Sequence, residues 1–421
     1  MPDKNHLFKS YKLAKERYAE LGVDTETALK ILNGISISLH CWQGDDVGGF
    51  EKTASGLSGG IMVTGNYPGK ARTVEELRAD LEKTYSLIPG KHRLNLHSMY
   101  GEFGGKKVDR NEIGIEHFQS WVDWAKKCGL KLDFNPTCFS HPNAESGYTL
   151  SSKDRKIRRF WVEHVKRTRE IAAFIGKKLD GFCINNIWIP DGSKDIPADR
   201  TTPRKLLKES LDEVFANKYD KNYLKDSIES KLFGIGSESY VVGSHEFYMG
   251  YAMKHGVMLC LDMGHFHPTE SLADKISAIM QFSDELLLHV SRGIRWDSDH
   301  VVILDDELKD IANEIVQGDY LNRVHVALDY FDASMNRVGA WVIGARATLK
   351  AMLSSLLCPH KQLSKYENKK DYFARLALME DMKTMPFNAV WDYYCMKAGV
   401  PVGTELIDEV HNYEKKVQSK R

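Results

Sequence analysis

Several acidic, imidazole and ammonium side chains stand late in, or just beyond, short apolar runs. They are His97 in LNLHSMY, Glu229 and Lys231 in IESKLFGIG, Asp262 and His265 in VMLCLDMGH, His289 in LLLHVS, Asp297 and Asp299 in RWDSDH, and Asp329 in VHVALDYFD. An ionised carboxylate inside an apolar run is expensive to bury unless opposite charge meets it. A single such Asp is more often a capped or salt-bridged structural residue. Here Glu229, Asp262 and Asp329 recur at the same relative level of different runs, and His289 joins them. Converging oxygen and nitrogen donors with this much negative charge call for a counter-charge, and a divalent cation is the economical one.

His265, Asp297 and Asp299 make a second group. Asp-x-Asp sets both carboxylates on one side of an extended segment. A nearby imidazole completes a mixed nitrogen–oxygen site suited to Mn2+ or Co2+. The competing reading is a solvated, helix-capping acidic loop. Lys231 follows Glu229 by two residues, so in a strand both point the same way. It is either an ion-pair partner of Glu229 or a cation placed where negative charge builds on a substrate oxygen. His267, beside His265 in HFH, reads as packing or as support for the site. Trp42, Phe139 and Trp188 also fall near strand ends. Aromatic residues there are commonly core, but beside a charged site they can wall the apolar face of a substrate such as a sugar ring. The Gly-rich stretch 55–71 is not a phosphate loop, because Gly65 to Gly69–Lys70 is one residue short and Ala71 stands where Ser or Thr is needed. It reads as a long loop and a candidate lid.

Positioning these groups takes eight strand-like runs: ISISLHCW (35–42), LNLHSMY (94–100), LKLDFNP (130–136), FCINNIWIP (182–190), IESKLFGIG (228–236), VMLCLDMGH (257–265), LLLHVS (286–291) and VHVALDYFD (324–332). Amphipathic segments lie between them. Residues 73–88 predict a helix with Thr73 as N-cap and Glu76 as its capping-box partner. Residues 115–129 predict another, ending on a C-cap glycine, and 271–282 and 307–319 follow. This alternation, without a GxGxxG turn, predicts an α/β fold of the (β/α)8 TIM barrel type rather than an open dinucleotide-binding sheet. Active sites of such barrels lie at the C-terminal strand ends, where the groups above stand. Residues 1–34 read as an N-terminal helical extension, with Leu7, Tyr11, Ala14 and Tyr18 at helical spacing. Residues 35–337 read as the catalytic barrel. Residues 338–421, where strand signals stop, read as a C-terminal helical extension that packs against the barrel or another subunit.

The bulk numbers agree. A chain of 421 residues suits one large barrel with extensions, and 42% hydrophobic content is enough for its core. Lys+Arg and Asp+Glu both number 58, so charge gives no reason to expect nucleic acid or an acidic membrane as partner. The cysteines (41, 128, 138, 183, 260, 358 and 395) are scattered, odd in number and never in CxxC, which predicts free thiols in a reducing compartment. The N-terminus lacks an apolar signal region and no long apolar run occurs, so a cytoplasmic protein is expected.

Longer blocks carry a family resemblance. HCWQGDDV (40–47), GNYPGKAR (65–72), LRADLE (77–82), DFNPTCFSHP (133–142), NIWIPDG (186–192), ESKLFGIGSESY (229–240), EFYMGYA (246–252), LDMGHFHPTE (261–270), LLLHVSRGIRWDSDHVV (286–302) and FDAS (331–334) together resemble the L-rhamnose isomerases, from about residue 10 to the C-terminus. The resemblance implies a barrel with helical extensions, a homotetramer, and site chemistry similar to xylose isomerase. It implies that Glu229, Asp262, His289 and Asp329 hold a structural metal (Zn2+, Co2+ or Mn2+). His265, Asp297 and Asp299 would then hold a catalytic one, Mn2+ foremost, and Lys231, His97 and Trp188 would contact the sugar. The segment 101–108 and the last helix depart from the family pattern. The expected reaction interconverts L-rhamnose and L-rhamnulose by a two-metal-assisted hydride shift, with no organic cofactor. Lys231 stabilises oxygen charge, and His97 or Asp329 opens the ring. The alternatives are a metal-dependent barrel hydrolase, an isomerase of another aldose, and a non-enzymatic sugar-binding protein. The Glu-x-Lys of the fifth run favours isomerisation over hydrolysis, and two open metal sites have little use in a binding protein.

Overall fold

Short, mostly apolar runs suit strands buried on both sides, and eight of them form one sheet among the described residues. They are β1 (Ile37–His40), β2 (Arg93–His97), β3 (Lys131–Asn135), β4 (Cys183–Ile187), β5 (Leu224–Glu229), β6 (Met258–Asp262), β7 (Leu286–Val290) and β8 (Val324–Leu328). All pair in parallel and in chain order, and β1 also pairs with β8, so the sheet closes into a barrel. This computed structural model describes residues 4–421 except 53–62, 64, 235, 295 and 296. The lid expectation for 55–71 thus falls largely outside the described residues.

A helix follows each strand: α3 (Val74–Tyr85), α4 (Gln119–Cys128), α5 (Arg155–Lys178), α6 (Thr201–Val214), α7 (His245–His255), α8 (Ala273–Ile279), α9 (Asp306–Gln317) and α10 (Arg337–Leu356). Gly129 ends α4 in the left-handed region at φ 68, where a glycine carries no Cβ penalty. Thr73 caps α3 by accepting from the Glu76 N–H at 3.3 Å. The capping box does not close, because the Glu76 carboxylate reaches past the cap to Arg72, accepting from its backbone N–H at 2.8 Å and from Nη2 at 2.6 Å.

The fifth strand departs from the sequence reading, which placed it at 228–236. It begins at Leu224 and ends at Glu229. Two charges disguise it. Lys225 meets Glu285 and the Phe182 ring on one side of the strand. Asp226 accepts from Arg169 of α5 on the other, at 2.9 and 2.8 Å. Ile184, Met258, Cys260, Leu287 and Ala327 pack with Phe182 into one small cluster, and the register sets Glu229 opposite Cys260 and Asp262 opposite His289.

Before the barrel stand α1 (Lys4–Glu20) and α2 (Thr25–Leu32), the latter capped by Asp24. After α10 come α11 (His360–Asn368), α12 (Tyr372–Met382), α13 (Phe387–Ala398) and α14 (Glu405–Lys416). The two ends of the chain meet where Tyr11 of α1 stacks on Tyr393 of α13, with ring centroids 3.7 Å apart. The indole of Trp341 in α10 donates to the His40 carbonyl at 2.9 Å, tying this helix to β1. All seven cysteines are free thiols. No single helix among the described residues is long and apolar enough to cross a membrane.

Candidate active site

The C-terminal ends of β5, β6, β7 and β8 bring Glu229, Asp262, His289 and Asp329 together, with one ligand atom of each within 4.8 Å of all the others. His289 Nδ1 lies 2.9 Å from Asp329, 3.4 Å from Glu229 and 3.7 Å from Asp262. The protein holds one oxygen of a carboxylate and leaves the other free. Asn186 donates to Glu229 Oε2 at 2.6 Å. The Gly264 N–H and the Ser291 hydroxyl donate to Asp262 Oδ1 at 2.6 and 3.3 Å. Glu229 Oε1 and Asp262 Oδ2 are buried without a hydrogen bond, a costly state unless a cation meets them. Cys260 also lies near Glu229 and His289, and burial pushes its thiol up.

The second group is ordered by different means. The Nδ1 of His265 bonds the Ser230 carbonyl at 2.7 Å, which leaves Nε2 facing Asp297 Oδ2 at 3.3 Å. Asp297 Oδ1 is buried and unbonded. Unlike the first group, His265, Asp297 and Asp299 are not among the sets whose ligand atoms all fall within 4.8 Å. The backbone departs from the sequence expectation at two places. Asp299 has φ 44, so the Asp-x-Asp segment is not extended and alternation does not align its carboxylates. Lys231 lies beyond the end of β5, so strand period does not aim it either. Its amide donates to Gly243 O at 3.2 Å, and its Nζ lies 3.3 Å from Asp297, not on Glu229. Gly234 leaves room for it, since a Cβ there would come within 2.5 Å of Lys231 Cε.

The charges answer one another through protons. Burial, then Asp297 and Asp329, raise the Asp299 carboxyl well above the usual range. Burial also raises Asp262, with Asp329 and Glu229 adding to it against the pull of His265. Burial works against charge on His265, yet Asp262 and Asp297 outweigh it and raise the imidazole to about 10. The same opposition leaves His289 well above its ordinary value, with Cys260, Glu229 and Asp329 beside it. The donors thus gather protons to balance their charge. A divalent cation would displace those protons, and the buried unbonded oxygens suit an oxygen- and imidazole-binding ion.

Beside the ligands lies a cleft of about 710 Å³, its open mouth included, lined by Trp42, His97, Phe139, Trp188, Glu229, Lys231, His265, Asp297, Asp299 and Asp329 among others. The sequence-predicted residues are therefore brought together, with Asp262 and His289 sharing the ligand set of Glu229 and Asp329. Trp42 stands edge-on to His97 at 4.3 Å, and Phe139 edge-on to Trp188 at 5.6 Å. His97 Nε2 is buried and unpartnered, while its Nδ1 bonds Thr137 Oγ1 at 2.9 Å. Burial, with Arg110 and His289 nearby, holds His97 well below its ordinary value, so it is a neutral imidazole. His267 is not part of the packing: it is exposed and bonds Thr269 at 2.7 Å. Val47, Asn135, Gly234 and Phe331 line the cleft without having been singled out from sequence. Asn186 was also missed, although its alternation with Ile184 in β4 was a usable signal.

Comparison with known proteins sets this geometry in a family. The sequence model described as L-rhamnose isomerase (RhaA) matches residues 5–421. The L-rhamnose isomerase of Rhodopirellula baltica is 58% identical over 413 residues, covering 98% of this chain and 96% of its own. That of Mannheimia succiniciproducens is 58% identical over 414 residues, covering 98% and 99%. That of Listeria innocua is 55% identical over all 421 residues, covering both chains completely. Among solved structures, an L-ribulose 3-epimerase aligns with a TM-score of 0.48 at 11% identity, covering 78% of this chain and 98% of that one. From its first helix to its last residue, this chain belongs to the L-rhamnose isomerase family.

Proposed function

We propose that this chain interconverts L-rhamnose and L-rhamnulose at the β-barrel cleft with the help of two divalent ions. The observation that carries this reading is the meeting, in one cleft, of buried unbonded carboxylate oxygens, Lys231 and an aromatic wall. Glu229, Asp262, His289 and Asp329 would hold one ion, structural in role, with Zn2+, Co2+ or Mn2+ suiting its donors. His265, Asp297 and Asp299 would hold the catalytic one, Mn2+ in our reading. Bound there, such ions supply Lewis acidity to the sugar oxygens between which the carbonyl moves.

The side chains do the rest. Trp42, Phe139 and Trp188 take the apolar face of the sugar and exclude water. Neutral His97 offers an unpartnered Nε2 that takes the O1 hydroxyl proton as the C1–O5 bond breaks and returns it to O5, with Asp329 as the second candidate for this step. Lys231 stays near Asp297 and donates to the oxygen that gains charge. The C2 hydrogen passes to C1 with its electron pair while a proton moves from O2 to O1. Aldose and ketose therefore balance without an external redox partner.

We also assign this family member a homotetrameric, cytoplasmic state. The α11–α12 hairpin contains no buried residue and leaves Phe373 84% and Leu376 58% exposed, an apolar face that a second copy would cover. The helices of 1–34 and of 338–421 act in this reading as extensions of a catalytic barrel at 35–337, with α10 shared between barrel and extension. Ketose formation from L-rhamnose, L-mannose, L-lyxose and D-xylose, with and without Mn2+ after chelation, tests the substrate. L-rhamnose should have the highest kcat/KM, and a higher value for D-xylose would overturn the assignment.

A further inference from the structure

Arg110 stands outside the ligand sets and is fully buried on a single helical turn, Arg110–Glu112. Its guanidinium spends every N–H on fixed partners. Nε and Nη2 hold the Glu51 carboxylate, at 3.2 and 2.5 Å. Nη1 donates to the carbonyls of Thr137 and Phe139, and Nη2 to that of Ser140 at 3.3 Å. Next to it Asp109 accepts from His141 at 2.9 Å. The segment 109–110 therefore grips the first part of the loop after β3, from Thr137 to His141.

That loop needs a grip. Thr137 and Ser140 both sit in the left-handed region, at φ 57 and φ 52, which a β-branched threonine seldom adopts. Between them Phe139 is turned into the cleft. Thr137 Oγ1 is the atom that bonds His97 Nδ1, and it also accepts from the Ser98 N–H at 3.1 Å. A planar fork with its donors at fixed angles can hold three carbonyls of one loop and a carboxylate together, which an ammonium cannot.

We infer that Arg110, paired with Glu51, is a positioning residue that shapes the sugar cleft by fixing Thr137–Ser140, and with it the aim of His97 and the place of Phe139. The inference rests on the isomerase reading above. Three variants test it: Arg110→Lys, which keeps the charge and loses the fork; Glu51→Gln, which loosens the fork; and Thr137→Val, which replaces the hydroxyl by a methyl group. Each is compared with the wild type for kcat and KM on L-rhamnose and on L-lyxose, which lacks the methyl carbon. Melting curves and bound-Mn2+ counts accompany the rates. Arg110→Lys and Glu51→Gln should bind Mn2+ as the wild type does, while the L-rhamnose to L-lyxose ratio of kcat/KM falls at least tenfold. Thr137→Val should lower kcat with KM little changed. A ratio within twofold of wild type in a folded variant, with only the melting temperature lowered, overturns the inference. If Arg110→Lys does not fold, the ratio in Glu51→Gln decides in the same way. A wild type that forms no ketose from L-rhamnose would instead overturn the isomerase reading, so the two failures are distinct.

Discussion

At the N-terminal mouth of the barrel, Arg93 donates to both oxygens of Asp133 at 2.8 and 2.6 Å, and Asp133 also accepts from Ser38 Oγ and the Ile184 amide. Glu285 takes Lys225 and, at 3.1 Å, His325. The Phe182 ring lies beneath both Arg93 and Lys225. At the C-terminal mouth, Glu229, Asp262 and Asp297 each keep a buried oxygen that nothing bonds. Both ends pair ionisable groups, yet only the C-terminal end also keeps carboxylate oxygens with no hydrogen bond. Paired charge at the N-terminal mouth serves the scaffold; the unbonded oxygens at the opposite end are an affinity for a cation. This matches the division of barrel enzymes into a stabilising bottom and a reactive top.

The largest expected effects separate the two mouths. Asp297→Asn should lower kcat by about 10³-fold, equivalent to about 4 kcal/mol of activation free energy, in a chain that still folds without metal. Glu229→Gln should also lose activity, and with it the rise in melting temperature that Mn2+ gives the wild type. A Mn2+-dependent rise that persists in Glu229→Gln would break the assignment of the first ligand group. Arg93→Met does the reverse. It strands Asp133 as a buried charge and should cost about 3–5 kcal/mol in denaturant unfolding, with kcat at low temperature unchanged. A loss of kcat larger than the loss of folded protein would show that the two mouths are not independent.

Smaller effects sharpen the picture. Trp188→Ala removes an aromatic face from the cleft and should weaken L-rhamnose binding by about 1–3 kcal/mol, read as KM and substrate preference. An unchanged KM returns Trp188 to the core. Glu285→Gln should cost only about 1 kcal/mol, because its side chain is 27% exposed and solvent screens it. Its pH dependence is the sharper readout. Although burial opposes its charge, His325 and Lys225 pull the Glu285 carboxyl down to about 2 from an ordinary 4.5. The native state thus favours the ionised form. Its contribution is full above pH 4.5 and is lost as pH falls toward 2. Wild type should lose more stability than the variant across that window, and parallel acid-melting profiles would contradict it.

What could be read from the sequence follows the same physics. Strands apolar on both faces announce themselves, and seven of the eight lie within or beside the expected runs. β5 was misplaced because Lys225 and Asp226 look like loop residues until their partners are found, 60 and 57 positions away in the chain. Helices α5, α6 and α7 are not singled out by the pattern; on α5 the buried face includes His164 and Arg169, which blur the apolar stripe. The ligand types at strand ends were legible, since carboxylates in apolar runs are conspicuous. Their anchoring was not. The Ser230 carbonyl on His265, the Gly264 amide on Asp262 and the left-handed Asp299 depend on backbone geometry that no local pattern reports.

The central claim is that the open valence at the C-terminal mouth is filled by divalent ions on which turnover depends. Its most direct test is a Mn2+ titration of chelator-stripped protein, with bound ions counted by elemental analysis and L-rhamnulose formation followed in the same sample. The account predicts no turnover in the stripped protein, two ions per chain at saturation, and turnover that returns as they bind. Full turnover in a sample verified to be metal-free would contradict it.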